Sequence, residues 1–206
     1  MAPTAKSELT RRRIRGAAVS LFNERGVSAV TTHAVARAAR LSPGNLYYHY
    51  RDKRAIVRDV FRDIAIYRRD AWRAVDGDFA AFLSFYFGSV IEHRFFFRDF
   101  SALLRDDRAL ASQWRRAWSE VLEDMRAMLR RWVAEGLILP FEGKAGEDAF
   151  LDNAWVLSHF SAVYAEARRG AAPDAGREVS GLAAFLAPYH TAKGRRELER
   201  WLKERA

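Results

Sequence analysis

The spacing of the apolar residues constrains the fold of this chain more than any other feature of its sequence. Within Thr10–Arg25, Ile14, Ala18 and Phe22 recur every four residues, which places them on one face of a helix. Alternation of apolar and polar residues, the mark of a half-buried strand, does not persist along the sequence. Because half of the 206 residues are hydrophobic, the chain can bury a sizeable core. These patterns predict an all-α protein.

Turn and capping signals divide the N-terminal segment into three helices. Gly26 stands where the first helix would end in a left-handed cap. Ser42 is a suitable N-cap for the third helix, and Pro43 suits its first position because an N–H there would have no partner within the helix. The predicted helices are Thr10–Arg25, Thr31 or Thr32 to Ala39, and Ser42–Tyr50.

Longer helical segments follow Asp52, with apolar residues at intervals of three and four. A loop is expected from Leu137 to Gly146 because it contains Pro140 and two glycines. The predicted spans are 53–75, 79–92, 95–105, 108–135, 147–169, 174–188 and 192–205. The sequence thus predicts a small three-helix domain over residues 1–52 and a larger helical domain over residues 53–206.

Positive charge is concentrated at the N-terminal end of the chain. Residues 1–58 hold twelve Lys or Arg against three acids, whereas residues 59–206 hold twenty-three of each. A folded segment with this imbalance is typical of a module that meets phosphates, as in nucleic acid. Anionic membrane is the alternative partner, but breaks at Gly26 and at 42–44 exclude one continuous amphipathic helix.

Two short helices joined by a tight turn in a basic segment are what a helix-turn-helix requires. The residues that make this segment specific are Thr31-Thr32-His33-Ala34-Val35-Ala36, then Leu41-Ser42-Pro43-Gly44-Asn45-Leu46-Tyr47-Tyr48-His49-Tyr50, then Lys53. They resemble the signature of the TetR family of transcriptional regulators. The resemblance is specific over about residues 10–60, and beyond that segment it is only architectural.

The resemblance implies that the second and third helices dock on double-stranded DNA. Asn45 can pair with adenine through two hydrogen bonds, and the ring of Tyr48 can meet a thymine methyl. The residues expected to contact bases are His33, Pro43, Gly44, Asn45 and Tyr48. Those expected to contact phosphates are Thr32, Tyr47, His49, Lys53 and Arg13, with Arg11, Arg12 and Arg15 completing a flexible basic clamp. For Tyr47 and His49, simple packing remains an alternative role.

Arg40 departs from the family pattern because it stands at a turn position where glycine is frequent. Glycine is favoured in such turns because it adopts a positive φ without strain. Either the turn has another geometry here, or Arg40 is strained. A contact between Arg40 and a phosphate is a further possibility.

Three consecutive phenylalanines at 95–97 cannot all face one apolar stripe of a helix. With aromatic residues from other helices they suggest the wall of a small-molecule pocket, and ordinary aromatic core is the alternative. The residues expected in the pocket are His93, Phe96, Phe97, Phe100, Trp114, Trp118, Trp155 and His159.

The family resemblance also implies a homodimer, in which segments 147–169 and 174–188 would pack against their symmetry mates. A dimer suits a palindromic operator because two recognition helices must lie about one turn of DNA apart. The expected function is therefore that of a repressor that a small, largely apolar ligand releases from its operator. A DNA-binding protein without sequence preference remains the alternative.

Other classes of protein find little support in the sequence. Nucleophile motifs, phosphate-binding glycine loops and His-Glu-x-x-His spacing do not occur, so neither an enzyme nor a bound cofactor or metal is expected. The sequence contains no cysteine, which excludes thiolate metal sites. It also lacks an uncharged apolar run of about twenty residues and a secretory signal, so a cytoplasmic protein without membrane contact is expected.

Overall fold

The computed structural model describes residues 4–74, 88–170 and 173–203, and these residues form helices, as predicted. The helices are α1 (Ala5–Arg25), α2 (Thr32–Ala38), α3 (Pro43–His49), α4 (Lys53–Ala74), α5 (Arg94–Arg98), α6 (Phe100–Asp106), α7 (Arg108–Ala134), α8 (Gly143–Arg169), α9 (Ala175–Leu186) and α10 (Ala192–Lys203). Residues 88–92 are also helical, and Ala187–Tyr189 form a 3₁₀ turn. Parts of three predicted helices, residues 75, 79–87 and 204–205, lie outside the described residues.

The chain divides into two compact units. The first comprises Met1–Tyr67 and Glu92–Trp114, and the second comprises Arg68–Ile91 and Arg115–Ala206. The predicted functional boundary after residue 52 stays a prediction.

Local capping explains where the N-terminal helices begin. Of the two candidate caps for α2, Thr31 is the one that accepts a hydrogen bond, from the amide of Ala34 at 3.1 Å. The first helix begins at Ala5 rather than Thr10, because Thr4 caps it through the amide of Ser7 at 3.3 Å. The early arginines therefore lie on a regular helix and do not form the flexible clamp that the sequence suggested.

Apolar side chains from four helices build the core of the first unit. Ile14 and Phe22 of α1, Val35 of α2, Leu46 of α3 and Ile56 of α4 are all fully buried. Full burial of a side chain of this size contributes roughly 1.5–3 kcal/mol. This core fixes α3 against α1 and α4.

Helix α10 packs closely on the turn that follows α7 in the second unit. Gly194 lies so near this turn that a Cβ there would overlap the carbonyl oxygen of Leu137. Thr191 donates to the carbonyl of Gly136 at 2.6 Å, and Ile138 pairs with His190 in an isolated antiparallel bridge. The backbone of the 136–138 turn thus holds the start of α10.

Candidate nucleic-acid interface

Helix α3 buries one side and leaves most of its surface open to solvent. Ser42 caps it by accepting a hydrogen bond from the amide of Asn45 at 3.2 Å, and Pro43 occupies its first position. Leu46 is fully buried, and Tyr50, which follows the helix, is 3% exposed. The exposed residues are Pro43, Gly44, Asn45, Tyr47 and Tyr48. Two side chains therefore anchor α3, and the residues predicted to meet DNA remain accessible.

A direct contact joins α2 to α3 at this surface. The hydroxyl groups of Thr32 and Tyr47 are hydrogen bonded at 2.9 Å. The exposed ring of His33 lies 6.4 Å from the ring of Tyr47, edge to face. The structure thus brings together one predicted base contact and two predicted phosphate contacts.

His49 is half-buried at the end of α3, and its ring lies 5.1 Å from that of Tyr48. Burial lowers the pKa of His49, and the nearby charge of Arg11 lowers it further. The neutral imidazole is therefore favoured. In that form His49 can offer one N–H to a phosphate oxygen but carries no positive charge.

Lys53 lies beneath the turn that follows α1. Its ammonium donates to the carbonyl oxygens of Val27 at 2.5 Å, Ser28 at 3.2 Å and Val30 at 2.7 Å. Burial also lowers the pKa of Lys53. Because an ammonium has three donors, a phosphate would have to displace a carbonyl from this side chain. In this structure Lys53 holds the turn.

The arginines of α1 also have partners inside the first unit. Arg13 donates to the carbonyl of Ala39 at 2.7 Å, at the end of α2. Arg11 and Arg15 donate to the buried carboxylate of Asp59 at 2.7 and 3.1 Å. Three of the four arginines that the sequence assigned to a DNA clamp therefore brace α2 and α4 in this structure, and the fourth, Arg12, is exposed.

Asp59 is the centre of an ionic network that the sequence did not reveal. This residue of α4 is 3% exposed, and it accepts a hydrogen bond from the hydroxyl of Tyr50 as well as pairing with Arg62. The guanidinium of Arg11 also lies 4.6 Å above the Tyr50 ring. One carboxylate thus links α1, α4 and the residue that ends α3. An acid between the apolar residues Val57 and Val60 was the available signal.

Arg40 adopts the left-handed conformation that glycine would favour, with φ of 55°. Its amide donates to the carbonyl of Arg37 at 3.0 Å, and the amide of Leu41 donates to that of Ala36 at 2.9 Å. These two bonds define a Schellman end of α2, in which the left-handed position is usually occupied by glycine. The turn therefore has the geometry that glycine prefers, with an arginine in it.

A second polar cluster joins α1 to segment 92–99 within the first unit. The side chain of Asn23 accepts from the amide of Phe95 at 3.0 Å and donates to the carbonyl of Glu92 at 2.7 Å. Arg98 donates to the carbonyl of Phe22 at 2.7 Å, and Asp99 accepts from the amide of Val27 at 2.9 Å. Nothing in the sequence indicated these contacts, which join residues about 70 positions apart.

The predicted pocket residues fall into both units. Those in the first unit are His93, Phe96, Phe97, Phe100 and Trp114. Phe96 is 1% exposed and stacks on Phe61 of α4 at 5.1 Å, and Phe95 lies 5.2 Å from Phe22 of α1. These phenylalanines pack against α1 and α4. A role for this cluster in ligand binding stays a prediction.

Trp118, Trp155 and His159 form another aromatic cluster, within the second unit. The Trp155 ring lies 5.2 Å from that of Trp118 and 4.6 Å from that of His159. His159 is 1% exposed, and its Nδ1 lies 2.8 Å from the carbonyl oxygen of Trp155. The imidazole is thus packed and hydrogen bonded inside this unit.

An open groove of about 360 Å³ lies in the second unit, and none of the predicted pocket residues lines it. It is lined by Leu129, Arg130, Val133, Ala134, Pro140, Phe141, Gly143 and Glu147. Within the described ranges, no group of three or more His, Asp or Glu side chains is arranged to hold a metal ion. The same part of the chain contains no helix of the length and apolarity needed to cross a membrane.

Comparison with known proteins agrees with this geometry. A family profile described as "Bacterial regulatory proteins, tetR family" matches residues 14–60. A second profile, TetR, described as "Bacterial transcriptional repressor", matches residues 71–198. The HTH-type transcriptional repressor KstR2 of Mycolicibacterium smegmatis is 35% identical over 65 residues, which span 31% of this chain and 32% of that repressor.

Solved structures show the same fold over nearly the whole chain. A TetR-family regulator from Marinobacter aquaeolei VT8 matches with a TM-score of 0.81 at 23% identity, over 94% of this chain and 97% of that one. The ketosteroid transcriptional regulator KstR2 of Mycobacterium tuberculosis matches with a TM-score of 0.63 at 18% identity, over 88% and 95%. Because family profiles match both the helix-turn-helix segment and more than half of the chain beyond it, this protein belongs to the TetR family of transcriptional regulators.

Proposed function

We propose that this protein is a sequence-specific repressor that reads a palindromic operator as a homodimer. The observation that carries the proposal is the surface of α3, where Tyr48 is 83% exposed beside the exposed Asn45. The apolar ring of Tyr48 remains in solvent on a helix whose Leu46 is fully buried. Contact with a thymine methyl would cover the ring, and the amide of Asn45 matches the edge of adenine.

The proposed base contacts are His33, Pro43, Gly44, Asn45 and Tyr48. The proposed phosphate contacts are the Thr32–Tyr47 hydroxyl pair and the N–H of His49, which surround this surface. We leave Arg13 and Lys53 out of the phosphate set because backbone carbonyls already bind their charged groups.

In vitro selection from random duplex DNA at near-physiological salt tests this proposal. Enrichment of a palindrome is expected, and Tyr48→Ala should abolish or broaden it because a base contact is lost. The matched control is Tyr67→Ala, which removes a tyrosine that is 53% exposed on α4, outside the helix-turn-helix. Salt-sensitive binding without enrichment would instead establish the alternative, a DNA-binding protein without sequence preference.

For the dimer, we propose the faces of α8 and α9 that the family resemblance indicates, 147–169 and 174–188. Val156 and Tyr164 of α8 are 52% and 64% exposed in the single chain, and Gly181 and Ala184 of α9 are exposed as well. Small residues allow helices to approach closely, and the larger ones supply apolar area. A symmetric partner would bury both sets.

Sedimentation of Val156→Glu tests the dimer, since a charge in an isologous interface is present twice and should give monomers. Leu139→Glu is the matched control, because Leu139 is 47% exposed but lies outside both helices. If Val156→Glu sediments as the wild-type dimer, the interface lies elsewhere.

The proposed effector is a small, largely apolar molecule that lowers the affinity for the operator. The profile that matches residues 71–198 is described as a transcriptional repressor. A solved structure of SmeT, which matches this chain with a TM-score of 0.58 at 18% identity over 89% of this chain and 93% of that one, is a complex with triclosan. Release of the selected palindrome by members of an apolar compound library tests this step. A cytoplasmic location follows from the proposed access to DNA.

A further inference from the structure

The turn between α2 and α3 holds an arginine in a conformation that suits glycine better. Arg40 has a φ of 55°, where a Cβ crowds the following carbonyl oxygen. The Schellman bonds of α2 require this conformation at position 40. An arginine at a position where the backbone is strained is a reason to look for a role of its side chain.

Arg40 continues a row of exposed residues along α2. The buried side of α2 is formed by Val35, Ala36 and the C-cap Ala39. His33 and Arg37 are four residues apart, which places them on one side of α2, and Arg40 extends this row into the turn that follows the helix. All three residues are exposed. The His33 ring lies 6.4 Å from that of Tyr47 on α3. The row therefore begins beside the proposed DNA-binding surface.

The two arginines of this row differ from four other cations of the helix-turn-helix region. Arg11 and Arg15 bind Asp59, Arg13 binds a carbonyl oxygen, and Lys53 binds three. Among the residues that the structure describes, Arg37 and Arg40 have no ion-pair or hydrogen-bond partner for their guanidinium groups. Their charges are therefore available to an external anion.

We propose that Arg37 and Arg40 bind backbone phosphates of duplex DNA and so extend the interface along α2, beyond the contacts of α3. The proposal rests on the proposed function, since it requires α3 to face DNA. A guanidinium group suits a phosphate because it can donate two parallel hydrogen bonds. These contacts are independent of sequence, so they fix the position of the module while α3 reads bases.

A purely structural role predicts a different outcome. Cations near the C-terminal end of a helix interact favourably with its dipole, and this alone would account for arginines at the end of α2. Loss of that interaction changes thermal stability but leaves the number of phosphate contacts unchanged. The salt dependence of binding separates the two roles, because its slope counts neutralised phosphates.

The test measures binding to the selected palindrome, and to a duplex of the same composition with scrambled sequence, between 50 and 200 mM salt. Arg37→Gln and Arg40→Gln should each reduce the slope of log K against log salt by about 0.9 per protomer, or about 1.8 per dimer. Arg40→Lys should retain the slope. The control Arg108→Gln removes an exposed arginine of the same unit, outside the helix-turn-helix, and should also retain it.

Arg40→Gly separates folding from binding. Glycine relaxes the left-handed turn, so Tm should stay equal or rise, while the slope should fall as it does in Arg40→Gln. Unchanged slopes in Arg37→Gln and Arg40→Gln would overturn this inference and leave the proposed function intact. If the wild-type protein binds neither duplex at any salt concentration, the proposed function fails and the inference fails with it.

Discussion

The two units of this protein arrange their polar contacts differently, in addition to their apolar cores. In the first, the carboxylate of Asp59 ties α1, Tyr50 and α4 through buried ion pairs and a hydrogen bond. In the second, separate ion pairs join α8 to its neighbours, Arg126–Glu147 to α7 and Arg169–Glu178 to α9. Aromatic contacts such as Trp118–Trp155 also hold α8, and α10 packs through the close approach of Gly194 to Leu137. The second unit also leaves Val156 and Tyr164 in solvent.

This difference matches the work proposed for each unit. Hydrogen bonds and ion pairs are directional, so a network around Asp59 specifies one orientation of α3. Apolar contacts depend more on area than on angle, so an apolar face can accept another apolar surface. The Asp59 network thus suits the DNA-binding surface proposed for the first unit, and Val156 and Tyr164 give the second unit apolar area for the proposed partner.

The largest expected effect comes from removing the centre of the network. Asp59→Ala leaves Arg11 and Arg15 without their common partner, and breaking a buried ion pair costs about 3–5 kcal/mol. Urea unfolding should show this loss in the free energy of unfolding. Glu24→Gln is the control, because the exposed Glu24–Arg25 pair should contribute less than about 1 kcal/mol. Equal losses in the two variants would mean that the Asp59 network stabilises the first unit no more than an exposed ion pair does.

Overpacking at α10 tests the second unit. Gly194→Ala should cost about 1–3 kcal/mol, because its Cβ meets the backbone of Leu137 rather than a side chain that can move. Gly16→Ala in α1 has nothing within 4 Å and should stabilise the protein by up to about 1 kcal/mol. Urea unfolding measures the change in the free energy of unfolding, which should be a loss for Gly194→Ala and a gain for Gly16→Ala. If Gly194→Ala leaves this free energy unchanged, the packing of α10 does not depend on the close approach of Gly194 to Leu137.

A smaller change sharpens the role of Tyr50. Tyr50→Phe keeps the ring beneath Arg11 but removes the hydroxyl that donates to Asp59, so a loss of about 1–1.5 kcal/mol is expected. Tyr164→Phe, on a side chain that is 64% exposed in the second unit, should change stability by less than about 0.5 kcal/mol. Thermal denaturation measures the Tm of both variants. Similar changes in Tm would mean that the hydrogen bond of the Tyr50 hydroxyl to Asp59 contributes little to stability.

The smallest expected effect is a pH dependence in the second unit. Burial lowers the pKa of His190 below its ordinary 6.5, although the carbonyl of Leu186 partly opposes the change. The unfolded chain therefore takes up a proton more readily, so stability falls as the pH drops below about 6.5. His190→Gln should reduce the dependence of stability on pH but not abolish it, because the pKa of His49 is lowered as well. Unfolding in urea at several pH values measures the change.

Much of the local structure was predictable because its causes lie within a few residues. Ser42 and Pro43 begin α3, as predicted. Gly26 follows the last residue of α1, as predicted, but its φ of 79° and ψ of 153° are not those of the left-handed cap that the sequence suggested. The start of α1 was predicted wrongly, since Thr4 extends the helix by five residues. The residues of α3 that the family resemblance assigned to base contacts, Pro43, Gly44, Asn45 and Tyr48, are all exposed.

The partners of charged residues were not predictable, because they depend on distant segments. Lys53 meets carbonyl oxygens 23 to 26 residues away, and Arg11 meets a carboxylate 48 residues away. A motif gives the type of residue at such a position but not the direction of its side chain. Composition likewise revealed the aromatic residues, whereas their separation into clusters in different units depends on tertiary packing.

The side-chain amide of Asn23 on α1 stabilises the start of α5. His93 provides no side-chain cap for α5, and the acceptor that closes this end, Asn23 Oδ1, lies 72 positions earlier in the chain. A helix of five residues is too short to persist alone in water. Helix α5 therefore depends on α1 for its stability, and hydrogen exchange at the amide of Phe95 should report the opening of α1.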